Sequence, residues 1–233
     1  MAELVLALDL PTRGEALGLL DRLPALRWVK VGSILMTAEG PGLVRELVSR
    51  GLHVFLDLKW HDIPSTVAGA VEVAGDLGVR MATVHASGGQ EMLRAAAAAA
   101  GPLALVGVTV LTSHRKPPST DYAEDSLERE PVNSVDAVVV RLARLAMDTG
   151  LAGVVCSPQE TAAVRLAVGP KALIVVPGIR RSQDDPGDQQ RTAGPAQAAR
   201  LGASHLVVGR PIVRAADPAQ ALAEFTAELQ AVS

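Results

Sequence analysis

HVFLDLKWHDIPSTV, residues 53–67, begins as a buried strand and ends at a helix start, yet it carries Asp57, Lys59, His61 and Asp62 in its middle. Residues 54–58 are apolar except for Asp57, the pattern of a parallel strand covered on both faces. Residues 65–77 then take helical spacing. The stretch is therefore one strand-then-helix unit, and the same unit recurs on both sides of it. Upstream, residues 4–9 lead to a helix over 13–23, and residues 28–32 to one over 41–50. Downstream, strands over 80–86, 103–110, 153–157, 172–178 and 205–209 lead to helices over 90–100, 135–149, 158–168, 195–201 and 219–230. Pro41, Pro158 and Pro195 fall at or near first turns, and Gly51, Gly78, Gly150 and Gly202 follow helix ends. Eight such units without a composition break predict a single (β/α)₈ TIM barrel over residues 1–233.

Composition bounds what such a barrel does. Of 233 residues, 48% are hydrophobic and 20% charged, which supports a full core and excludes a disordered chain. A net charge of −3 and only 2% aromatic residues argue against nucleic acid as a partner. Cys156 is the single cysteine, so no intrachain disulfide forms, which fits a reducing, cytoplasmic setting. The first apolar run is broken by Asp9 and has no basic leader, so it reads as a strand and not as a signal peptide. No stretch approaches the roughly 18–20 apolar residues of a membrane span.

Polar residues stand where buried strands should have none. Asp9 ends the first strand, Lys30 interrupts the second, Asp57 and Lys59 close the third, and His85 closes the fourth. Thr109 and Thr112 flank the end of the fifth. Asp57 and Lys59 are two apart, which on a strand puts both on one side. Buried charges are costly unless paired, so opposite charges on three neighbouring strand ends predict one interacting group with coupled titrations. A structural ion-pair network is the plain alternative. The position of these groups at the C-terminal barrel face, where such barrels do their chemistry, favours catalysis. His53, His61, His85, His114 and His205 have no zinc-ligand spacing. A Mg²⁺ site on Asp57 and Asp9 would compete with two lysines, so no metal is expected.

Two long polar segments follow strands at that face, residues 112–134 and 179–194. The second, with the VVGRPI run at residues 207–212, suits a phosphate. Gly209 allows close backbone approach, Arg180 and Arg210 offer two-pronged contacts, and Gln189 adds amide donors. A solvated loop with surface arginines is the alternative.

Taken together, LALD, VKVG, FLDLKWHDIPSTV, VTVLTS, VPGIR…GDQ and VVGRPI resemble the orotidine 5′-phosphate decarboxylase family, from Leu6 to Pro218. The resemblance implies conversion of orotidine 5′-monophosphate to uridine 5′-monophosphate and CO₂, with no cofactor, in a homodimer with shared active sites. It implies that Lys59 protonates the carbon that loses CO₂, with Asp57 beside the departing group. Lys30 and Asp62 complete the charge array, Asp62 reaching in from the partner subunit with Ile63 and Thr66. Asp9 and Lys30 would contact the ribose, Thr112 the pyrimidine, and Arg180, Gln189, Gly209 and Arg210 the phosphate. The chain departs from the family's commoner pattern at Trp60, Ser65 and Arg181, where Phe, Asn and Pro are expected. Two rivals share the barrel. Mg²⁺-using sugar-phosphate decarboxylases and aldolase-like synthases have the same D-x-K-x-x-D spacing, and a non-catalytic barrel could bind a nucleotide as a sensor.

Overall fold

In the computed structural model the eight strands close into a barrel. The structure describes residues 2–112, 134–181, 184 and 192–232. The strands are β1 (Glu3–Ala7), β2 (Trp28–Gly32), β3 (His53–Trp60), β4 (Met81–His85), β5 (Ala104–Val108), β6 (Gly153–Val155), β7 (Leu173–Val176) and β8 (His205–Val208). Neighbours in sequence pair in parallel, and β8 returns to β1 from Glu3↔His205 to Leu6↔Val208. The helices are α1 (Arg13–Asp21), α2 (Ser33–Ser49), α3 (Pro64–Asp76), α4 (Gly89–Ala99), α5 (Val135–Asp148), α6 (Thr161–Val168), α7 (Pro195–Arg200), α8 (Arg210–Val213) and α9 (Pro218–Gln230). The barrel expected from the sequence is the one observed.

Strand alternation divides the core in two. Val5, Ala7, Phe55, Met81, Val106, Val175 and Val207 fill the inside of the barrel. Their neighbours in sequence, such as Leu6, Val54, Leu56, Ala82 and Leu206, face outward and pack under the helices. Arg165 of α6 closes the N-terminal side. Its guanidinium donates to the carbonyls of Gly169 (2.6 Å), Ala172 (2.9 Å) and Gly202 (2.7 and 3.2 Å), joining the turns that precede β7 and β8.

Three elements differ from the periodicity reading. Helix α2 begins directly after β2, with Gly32 as N-cap, and runs through a break at Gly40 (φ 65°) before Pro41. Glycine followed by proline reads as a helix start, which hid the first half. Helix α6 begins at Thr161, so Pro158 lies ahead of it. Helix α8 is a four-residue turn too short to have a periodic signature.

The barrel floor is polar. The Trp28 ring lies edge-on between His53 (centroids 4.9 Å apart) and His205 (5.1 Å), with Glu3 paired beside His205 in the β1–β8 register. Burial, then Arg80 and Arg27, lower the pKa of His53, and burial lowers that of His205, while Glu3 opposes both. Both histidines are thus neutral in the folded state over a range in which the unfolded chain takes up protons. Their contribution is complete above the ordinary value near 6.5 and is lost as pH falls below it toward the folded values. The urea midpoint should therefore be lower at pH 5.5 than at pH 7.5, and the difference should shrink in His205→Gln. An equal pH dependence in that variant would assign the effect to other groups.

Candidate active site

The C-terminal mouth of the barrel holds a cavity of about 470 Å³. Its lower wall is the top of the inner core, with Ala7, Phe55, Val108, Val155, Val175 and Val207. Above that wall the sequence-predicted charges meet. Lys30 Nζ lies 3.1 Å from Asp9 Oδ1 and 3.5 Å from Asp57 Oδ2, and Lys59 Nζ lies 2.8 Å from Asp57 Oδ1. Asp9, Lys30, Asp57 and Lys59 form one chain of alternating sign. Lys30 and Asp57 are its inner members, with side chains 11% and 14% exposed, whereas Asp9 at 52% and Lys59 at 35% open toward solvent. Each of the two buried charges has a partner on both sides, which offsets the cost of removing it from water.

Asp57 and Lys59 do share a side, but not through plain strand geometry. The register between β3 and β4 slips between Leu56↔Ala82 and Trp60↔Val84. Lys59 takes φ 54°, the one positive value among the described non-glycine residues. Such a conformation costs on the order of 1–3 kcal/mol and persists only when its surroundings hold it. Thr83 of β4 does so. It is fully buried, its hydroxyl accepts from Lys59 N (2.8 Å), and it donates to Asp57 Oδ1 (3.1 Å). Burial pushes the Asp57 carboxyl up, but Lys30, Lys59 and the Thr83 hydroxyl together hold it below its usual value. It is a carboxylate at neutral pH.

The other expected residues divide by where they stand. Thr112, Arg180, Gly209 and Arg210 line the same cavity as the charge chain. Asp62, Ile63 and Thr66 do not: they lie on the turn into α3 and its first turn, exposed, with Asp62 Oδ1 accepting from Ile63 N at 2.7 Å. Ile63 is 64% exposed. Gln189 lies outside the described residues, as does most of segments 112–134 and 179–194. Thr109 works as a fastening, donating to the Val155 carbonyl at 2.8 Å. His85 is half-buried with its ring 5.6 Å from that of His61, and burial, then His61 and Lys59, lower its pKa.

Some contributors went unread in the sequence. Thr83 carried a signal, a hydroxyl inside an apolar strand, but its two partners sit on another strand. Gly32 carried none. A Cβ there would stand 3.1 Å from Lys30 Nζ and 3.4 Å from Asp9 Oδ1, crowding the ion pair. Arg214, one turn beyond Arg210, adds a third arginine to the lining.

A closed parallel barrel with a chain of alternating charges and three arginines around one cavity at its C-terminal mouth has the build of a barrel enzyme. The chain belongs to the orotidine 5′-phosphate decarboxylase / HUMPS family, whose pattern it matches over residues 2–225. Among its relatives, orotidine 5′-phosphate decarboxylase of Halorhodospira halophila is 50% identical over 98% of this chain and 96% of that protein. The protein of the same name from Chromohalobacter salexigens is 48% identical over 97% and 95%. The crystal structure of orotidine 5′-phosphate decarboxylase from Lactobacillus acidophilus superposes with a TM-score of 0.82 at 34% identity, covering 98% of this chain and 99% of that one.

Proposed function

We propose that this chain, acting as one catalytic domain, converts orotidine 5′-monophosphate to uridine 5′-monophosphate and CO₂, the last step of de novo pyrimidine synthesis. The observation that carries this reading is the Asp9–Lys30–Asp57–Lys59 chain in a cavity that also presents Arg180 and Arg210. At about 470 Å³ the cavity falls in the range of small-molecule sites, roughly 300–1,000 Å³.

The chemistry follows from the charges. The bond between the ring carbon and its carboxylate breaks, CO₂ leaves, and the electron pair stays on the ring carbon. The Lys59 ammonium, fixed by Asp57, stabilises that pair and then donates a proton to it. Lys59 regains its proton from water. Asp57 stands beside the departing carboxylate, Asp9 and Lys30 hold the ribose hydroxyls, and Thr112 holds the pyrimidine. Arg180, Gln189, Gly209 and Arg210 take the phosphate, remote from the broken bond, so their binding energy positions the ring.

In this reading the enzyme is a cytoplasmic homodimer. Asp62, Ile63 and Thr66 serve the site of the partner subunit, and their exposure at the start of α3 supports this. Among the described residues no helix is long and apolar enough to cross a membrane. Mg²⁺ has no ready place, because both lysines already occupy the carboxylates a metal would need. The test is uridine 5′-monophosphate formation by purified protein before and after EDTA treatment. An undiminished rate is expected from a dimer. Activity lost to EDTA and restored by Mg²⁺ would place the chain with the metal-using sugar-phosphate enzymes. Full activity in a protein that stays monomeric would contradict the shared site.

A further inference from the structure

Arg181 is unaccounted for by the reading above, and it is among the most thoroughly engaged side chains outside the charge chain. It follows Arg180 directly, yet its own guanidinium turns away from the cavity. Its side chain is 9% exposed. Nη2 pairs with Asp184 Oδ1 at 2.9 Å, Nε donates to Asp184 Oδ2 at 3.2 Å, and its backbone N–H donates to the same oxygen at 2.8 Å. Nη1 pairs with Glu224 of α9, and the guanidinium carbon stands 4.6 Å from the centroid of the Phe225 ring. Phe225 is fully buried, and Gln220 Nε2 holds Glu224 from one turn back at 3.0 Å. A planar guanidinium is suited to this double role of fork and stacking plate, and a lysine ammonium is not.

The other side of the residue is Arg180. Its backbone N–H donates to the Ala193 carbonyl at 3.0 Å, and Ile179 and Ala193 form a parallel bridge. Its Nη1 donates back to the Ile179 carbonyl at 2.8 Å, and the residue lines the cavity. The backbone that carries Arg180 is therefore fixed by the bridge to Ala193 on one side and by Arg181 on the other. A proline at position 181 would have neither the N–H nor the guanidinium for this clamp.

We infer that Arg181 is a positioning residue: by clamping the chain to α9 it sets where Arg180 presents its charge to the substrate's phosphate. The inference rests on the reading of Arg180 as a phosphate contact. The experiment compares the nucleotide with its dephosphorylated nucleoside, orotidine, in Arg181→Leu, Arg181→Lys, Glu224→Gln and Arg180→Ala. Arg181→Leu should lower kcat/KM for the nucleotide about tenfold, mainly through KM, and leave the value for the nucleoside within about twofold. Arg181→Lys should recover part of the loss. Glu224→Gln should give a smaller loss of the same kind, and the double variant should be no worse than Arg181→Leu alone.

Equal losses on both substrates would make the clamp merely structural and overturn the inference. So would an unchanged KM in Arg181→Leu while Arg180→Ala shows the phosphate-selective loss; that result leaves the reading of Arg180 standing. If Arg180→Ala shows no selective loss, the inference and the reading beneath it fall together. Should Arg181→Leu not fold, Glu224→Gln decides, because its change lies on the exposed side of α9, and a loss equal on both substrates, or none, overturns the inference.

Discussion

Lys59→Ala should lose more than about a thousandfold in kcat while keeping its fold, a loss of roughly 4 kcal/mol in barrier stabilisation. Two effects leave together. A positioned proton donor contributes typically 10²–10⁴-fold, and a preorganised charge at a developing carbanion contributes on a similar scale. The fold should survive because Asp57 is not orphaned. It keeps Lys30 at 3.5 Å and the Thr83 hydroxyl at 3.1 Å. The backbone strain at φ 54° remains whichever side chain is present, so alanine neither adds nor removes it. The check is kcat beside a thermal melt. Retention of more than about a tenth of the wild-type kcat in a folded variant would remove Lys59 from the chemical step.

Arg210→Ala should lower kcat/KM for orotidine 5′-monophosphate by about a hundredfold, roughly 2.7 kcal/mol, and alter that for orotidine far less. Charge-assisted contacts to a phosphate are among the stronger ones, and a guanidinium makes two at once. Arg210 opens α8 straight after Gly209, at the end of a barrel strand, so its backbone is held by β8. Arg180 and Arg214 line the same cavity and limit the loss. A fall of equal size on both substrates would mean that Arg210 holds some other part of the molecule.

Much of this site was legible in the sequence because parallel barrels leave strand faces apolar. Asp9, Lys30, Asp57 and Lys59 stood out against that background, and the count of strand-helix units placed them at one mouth. What alternation does not convey is a slip in register. The bulge that turns Lys59 toward Asp57, and the Thr83 hydroxyl that holds it, depend on pairing between β3 and β4. Gly32 matters for the room it leaves, which only the position of the Lys30–Asp9 pair reveals. The polar floor of Trp28, His53 and His205 was also missed, since histidines at strand starts look ordinary until the barrel closes around them. Asp62 was read as part of the charge cluster from three residues' proximity to Lys59. Within one chain it is exposed and stands outside the cavity, so proximity in sequence did not carry it into the cluster.

The most direct measurement is release of CO₂ from orotidine 5′-monophosphate labelled in its carboxyl group, by the purified, EDTA-treated protein. Label should leave as CO₂ in step with formation of uridine 5′-monophosphate, one for one. A folded protein that binds the nucleotide and releases no label would contradict the assignment of Lys59, Asp57 and their partners to decarboxylation.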